Sequence, residues 1–191
     1  MQIAMGKSFF NDYLRDLFPE VLFYPEFFDA KKLLVKQDYR GYFNLVWKHR
    51  NEIKMALYPD YCYWEMPLPT NIVYIFPVHE LSSQVLMLMK KLREDGYEIW
   101  AGYASSPRYR NYSINSFLKF SEGYKRWYLG VSSKSELYEA VQLKFDGIDV
   151  TTMLFGRFNQ VKQRDYVVRK MRELQEYVSA NQFRRGLQLS F

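Results

Sequence analysis

The chain has 191 residues and one cysteine, which excludes an internal disulfide and a cysteine-rich zinc site. At 48% hydrophobic and 19% aromatic it can fill a core, and it carries no charge block, low-complexity tract or internal repeat, so disorder and a repeat architecture are excluded. A net charge of +6 and a pI near 9.2 favour an anionic partner, nucleic acid first; the alternative is a charged surface of the thermophile kind. The longest apolar runs, such as 72–78, are too short to span a bilayer, and the N-terminus lacks a long apolar signal region. The expectation is one domain over 1–191, cytoplasmic, with no membrane partner.

Helical spacing of Phe9, Phe10, Tyr13, Leu14, Leu17 and Phe18 predicts a helix over 8–18. An aromatic, strand-like run interrupted by Pro25 follows at 21–28. A long amphipathic helix is expected over 38–57, stopped by Pro59, then a short strand over 61–66 ended by Pro67 and Pro69. Alternating Val and Ile with aromatics predicts a strand over 71–78. A helix over 81–94 ends at Gly96, and a strand runs over 97–104. A polar loop over 105–112 holds Arg108 and Arg110, and a short helix occupies 113–123. Strands at 126–131 and 145–150 flank a helix over 134–144 with Ser135 as its N-cap. The chain ends in a helix over 165–189, whose Val167, Val168, Met171, Leu174 and Tyr177 form a core-facing stripe.

From residue 61 onward strands and helices alternate, which implies a parallel sheet with helices outside. A closed eightfold barrel usually needs about 250 residues. With about six strands expected, the fold class is α/β: a TIM-barrel-like, shortened or incomplete β/α barrel, with an open doubly wound parallel sheet as the alternative. In either architecture chemistry collects at the carboxyl ends of the strands. Asp149 sits at such an end, closing a strand–turn–helix–strand unit. Asp146, an odd number of residues earlier, falls on the other face.

The stretch from Leu129 to Asp149 resembles the tRNA-guanine transglycosylase superfamily: a Gly130-Val131 turn, a helix carrying Leu137, Glu139, Ala140 and Val141, then Phe145-Asp146-Gly147-Ile148-Asp149. The match is gap-free over that segment. It implies that Asp149 is a nucleophile attacking ribose C1′ and expelling a base. It further implies a base pocket shaped by Glu65 ahead of Pro67, by His79 in the place of a family Gln, and by Gly102, where the backbone approaches the base. Tyr103 stands in for a second family Gly and can stack on a base. Arg108, Arg110, Arg157, Arg184 and Arg185 are candidate nucleic-acid contacts, the alternative being solvated charge.

The chain departs from the family at two points. The family's structural zinc site is missing, so no metal and no cofactor are expected. The Asp-Ser-Gly-Gly-Phe motif that supplies the family's general acid/base is also missing. The corresponding stretch, 21–28, offers Glu26 out of register before Asp29. The expected function is therefore a transglycosylase-like glycosyltransferase acting on a purine N-glycosidic site in tRNA or DNA. The alternatives are a catalytically degenerate barrel that binds nucleic acid, and an interaction protein whose 17 Tyr and 15 Phe supply a contact surface in a homo-oligomer or with another protein.

Overall fold

A computed structural model describes residues 1–9, 11–156, 160 and 162–188, without the side chains of 31 and 182–188. Eight strands are described: β1 (Gln2–Met5), β2 (Val21–Phe23), β3 (Phe27–Phe28), β4 (Met55–Leu57), β5 (Val73–Val78), β6 (Glu98–Ala104), β7 (Arg126–Val131) and β8 (Gly147–Val150). The α-helices described with them are α1 (Asn11–Leu17), α2 (Lys31–Val35), α3 (Tyr39–Lys48), α4 (Ser83–Glu94), α5 (Ile114–Phe120), α6 (Lys134–Gln142) and α7 (Arg164–Gln188).

The strands pair in the order β2-β1-β8-β7-β6-β5-β4-β3, every pair parallel, in a nearly closed α/β barrel of the TIM type. The two ends of that order, β2 and β3, are separated in the chain by residues 24–26 alone. A parallel neighbour needs a crossover of a dozen or more residues. The run 21–28 is instead one kinked strand: its first half pairs with β1 and its second with β4. Pro25, which has no N–H to give a ladder, sits at the kink. This shared run removes one strand–helix unit and brings a barrel within reach of 191 residues.

A second economy lies between β4 and β5. Residues 58–72 form no helix and return along the outside as a loop. Buried or part-buried tyrosine hydroxyls satisfy its backbone: Tyr58 donates to the Trp64 carbonyl (2.6 Å) and accepts from Met66 N (3.2 Å), Tyr74 donates to the Pro69 carbonyl (3.0 Å), and Tyr97 to the Leu68 carbonyl (3.1 Å). Backbone groups outside a helix need such partners when water is excluded. The strand expected over 61–66 is thus a loop. The helix expected over 38–57 is likewise corrected: α3 stops at Lys48, and Ile53, Met55 and Leu57 repeat every second residue because they enter β4. The N-cap of α6 is Ser133, not Ser135. It forms a capping box with Glu136, whose carboxylate also takes the Ser132 N–H (2.7 Å) and so saturates the start of that helix.

Two apolar layers result. Ala4, Leu22, Phe27, Met55, Ile75, Trp100 and Trp127 fill the barrel interior, with Phe27 and Trp127 stacked at 5.6 Å. Between strands and helices lies the larger layer, which includes Tyr103, Phe117, Tyr128 and Phe145. On α7, Val167, Met171 and Leu174 of the expected stripe are buried, Val168 and Tyr177 are half-buried against the same core, and Val178 is buried beside them. Among the described residues no helix is long and apolar enough to cross a membrane.

Candidate active site at the carboxyl end of the barrel

Because all strands run one way, their carboxyl ends share one face. There Gly6, Asp29, Leu57, Leu129, Gly130 and Asp149 are each partly exposed above the buried interior layer, and they form the floor of a shallow mouth.

Asp149 is built into this floor by three local features. Gly147, two residues earlier on the same inward face, leaves room for the Trp127 ring: a Cβ there would lie 2.2 Å from it. The indole so placed donates from Nε1 to Asp149 Oδ1 at 2.8 Å. The third feature is a β-bulge. Trp127 and Tyr128 face Gly147 and Ile148, but Val131 faces Val150, so β7 holds one residue more than β8 across this interval. Gly130, at φ +70°, takes up the extra residue and turns its N–H onto Asp149 Oδ2 at 3.0 Å. Both carboxylate oxygens are thereby held, each with a lone pair still available.

The carboxyl pKa is pushed up to about 7. Desolvation is the largest cause. The Trp127 hydrogen bond works against it, the charge of Asp29 adds to the rise, and the Gly130 N–H again opposes it. Although its outer edge is accessible, protein surrounds the group closely enough for burial to dominate.

Asp29, immediately after β3, is the second carboxylate of the mouth. A Cβ on Gly6 would stand 3.3 Å from its Oδ2, so Gly6 gives it space. The resemblance does not point to Asp29, because the Asp-Ser-Gly-Gly-Phe motif is absent from this chain. The available signal was an acid directly after the aromatic pair Phe27-Phe28, at a strand's carboxyl end.

The other expected site residues fare differently. Glu65 is not at the mouth: it lies on the outer loop, 3.6 Å from Lys91 of α4 in an exposed ion pair, because no strand forms at 61–66. Gly102 does face inward, but its space is filled; a Cβ would meet Ile75 and Leu129 at 2.9 Å, so the glycine serves barrel packing. Tyr103 points outward, 2% exposed, among Phe117, Tyr128 and the Arg110 guanidinium, and cannot stack on a base at the mouth. Arg110 is tied to the Ala104 and Tyr112 carbonyls (3.0 and 2.8 Å), while Arg108 is exposed on the rim. Arg157 and the side chains of Arg184 and Arg185 lie outside the described residues.

His79, at the end of β5, does reach the rim. Its Nε2 is 2.7 Å from Asp60 Oδ1 and its Nδ1 is 2.8 Å from the Tyr109 carbonyl. Both partners are acceptors, so both nitrogens donate and the ring is an imidazolium. Desolvation pulls its pKa down, yet the Asp60 hydrogen bond, the Tyr109 carbonyl and the charges of Asp60 and Glu80 outweigh it, and the net shift is upward. With both nitrogens engaged, His79 cannot take the hydrogen-bonding place of a base-reading Gln.

Among the described residues no three His, Cys, Asp or Glu side chains are grouped to hold a metal ion. Surface grooves among the described residues lie off the mouth. One, of about 490 Å³, lies between β1, β2 and α7; another, of about 400 Å³, is bounded by α6, α7 and 154–156.

No family model matches the chain. No solved structure matches it either. It is similar to "Uncharacterized protein ORF192" of Acidianus two-tailed virus, 39% identical over 186 residues that cover 94% of this chain and 94% of that protein. At that identity and coverage, the chain belongs to the same family as the viral ORF192 protein.

Proposed function

We propose that the barrel acts on a purine N-glycosidic bond in nucleic acid, by base exchange or base cleavage, with Asp149 as nucleophile and Asp29 as general base. The carrying observation is the mouth itself: a carboxylate oriented by Trp127 and Gly130, facing an opening, with a second carboxylate close enough to raise its pKa. In the reaction an Asp149 oxygen bonds to C1′ as the C1′–N bond breaks. The bonding pair leaves with the base, which takes a proton from water, since Asp29 is the anion that raises the Asp149 pKa. The glycosyl ester is then opened by an incoming base or by water, from which the Asp29 carboxylate takes a proton as the new C1′ bond forms and the ester oxygen leaves as the Asp149 carboxylate. Asp149 attacks only when ionised, so the rate rises with pH through about 7. The chemistry is that of the superfamily resembled by 129–149, with Asp29 in a place that the family's own motif does not fill here.

The experiment is to trap a covalent adduct on guanine-containing RNA or DNA. The wild-type protein forms it and Asp149→Asn does not. Absence of adduct on every such substrate rejects the chemistry. A second reading, a barrel that binds nucleic acid without altering it, is favoured by the positions of Glu65 and Gly102, neither of which offers a base-recognition group at the mouth. It predicts binding that weakens steeply with salt in the absence of any adduct.

A further inference from the structure

Tyr61 is a large aromatic left part-exposed on the rim. It follows Asp60 in the turn closed by Cys62 N to the Pro59 carbonyl at 3.2 Å, and its φ is +56°, in the left-handed region that an aromatic residue rarely occupies. Such a conformation is kept where surrounding contacts impose it, and it collects at ligand sites. Here it lays the Tyr61 ring flat on the His79 ring, with centroids 4.4 Å apart and planes 14° apart. Tyr109 meets the same imidazole edge-on at 6.4 Å and supplies the carbonyl for its Nδ1. Asp60, next to Tyr61 in the chain, holds the other nitrogen. One imidazolium therefore fastens three rim segments, from β4, β5 and β6. The upper parts of the assembly stay open: Tyr61 is 44% exposed and Tyr109 57%, although both are large aromatics.

We infer that the Tyr61–His79–Tyr109 stack is a preformed platform on which a base of single-stranded nucleic acid stacks. A planar heterocycle matches the outward ring face, since stacking on an aromatic side chain is open to every base. The cation beneath Tyr61 draws electron density from the ring and so favours an electron-rich base above it. Exposed Arg108, beside Tyr109, and the +6 balance of the chain suit the phosphates on either side. The platform depends on His79 staying doubly protonated. The groups around it are Asp60 and Glu80, which hold the charge, and Tyr61 and Tyr109, which cover it. Loss of its proton leaves one nitrogen without a hydrogen to give, and one of the two loops is released. The rings follow the carboxyl ends of β4, β5 and β6 and Asp149 stands at the carboxyl end of β8, on the same end of the barrel; that a neighbouring nucleotide lies over the carboxylates rests on the function proposed above.

The test is fluorescence anisotropy of a labelled single-stranded oligonucleotide, about a dozen nucleotides long, in DNA and RNA forms. The protein carries Asp149→Asn so that no turnover intrudes. Tyr61→Ala should weaken binding at least about fivefold, the effect of losing one stacked base, while Tyr61→Phe stays within about twofold. His79→Gln should weaken binding as well, and should abolish the decline in affinity that the parent shows as pH rises through the raised His79 pKa. The platform is refuted if the parent fails to bind either strand at low salt, or if Tyr61→Ala binds as the parent does. It is also refuted if Tyr61→Phe is as impaired as Tyr61→Ala, or if His79→Gln keeps the parent's pH dependence. Because no step is catalytic, binding with this pattern and no Asp149 adduct would reject the chemistry and leave the platform standing.

Discussion

The two ends of the barrel use the same pair of groups to opposite effect. At the amino end Trp100 donates its indole N–H to Glu98 at 2.9 Å; at the carboxyl end Trp127 donates to Asp149 at 2.8 Å. Glu98 also receives Lys125 Nζ at 3.1 Å, and that ammonium lies 4.8 Å from the Trp100 ring. The Trp100 hydrogen bond and then the Lys125 hydrogen bond hold the Glu98 carboxyl below its ordinary range, and water reaches the group. Asp149 has burial and a like charge where Glu98 has solvent and a lysine, and its carboxyl rises to about 7. An indole donor orients a carboxylate but does not fix its charge; the rest of the surroundings decide that. Only the carboxyl end is poised to exchange a proton near neutrality.

Substitutions along this contrast should differ in size. The largest effect is expected from Gly147→Ala, whose Cβ meets the Trp127 ring at 2.2 Å. It has to displace the indole from both the core and Asp149, at about 3 kcal/mol, read by denaturant unfolding. Next is the pH dependence of stability. A carboxyl raised in the folded state from the ordinary 3.8 to about 7 favours folding at pH below the lower value, and that advantage is lost as pH climbs towards the upper one. Over that window the wild-type protein should lose of order 3 kcal/mol, reduced by the accessible edge of the group, and Asp149→Asn should flatten this part of the curve. His79 slopes in the same direction, its advantage present below its unfolded pKa and lost above its raised folded one. His79→Gln in the Asp149→Asn background separates the two contributions.

Trp127→Phe should lower stability by about 2 kcal/mol through the lost indole donor and the smaller ring, and should raise the Asp149 pKa further. At the opposite end, Glu98→Gln should change stability by less than about 1 kcal/mol, because its partners are solvated. Its small effect should be present above the ordinary Glu pKa and vanish as pH falls through the lowered Glu98 pKa, the reverse of the Asp149 slope.

The sequence was most legible where a segment is long enough to repeat. The alternation of 73–78 and 98–104 declares β5 and β6, and the strand–helix–strand from 126 to 150 places Asp149 at a strand end. Strands of three or four residues show too little of a period. The reading over 38–57 therefore absorbed β4 into a helix, and β1 was not anticipated at all. Asp29 was hidden for a related reason. Its place at the mouth exists only once 21–28 kinks and lets β3 pair with β4, a closure between residues that no local pattern joins. Trp127 reads as core, which it is; its second use as a donor depends on the space left by Gly147 one strand away. Glu65 leaves the mouth because 61–66 forms no strand, and Tyr103 turns outward because it alternates with inward-facing Gly102.

The account stands on a mouth carboxylate held near neutrality by burial and by Asp29. Titrating the Asp149 side-chain carboxyl by carbon-detected NMR, in the wild-type protein and in Asp29→Asn, tests this directly. The prediction is an apparent pKa of about 7 that falls when Asp29 loses its charge. A carboxyl titrating in the ordinary range near 3.8, indifferent to residue 29, would contradict it.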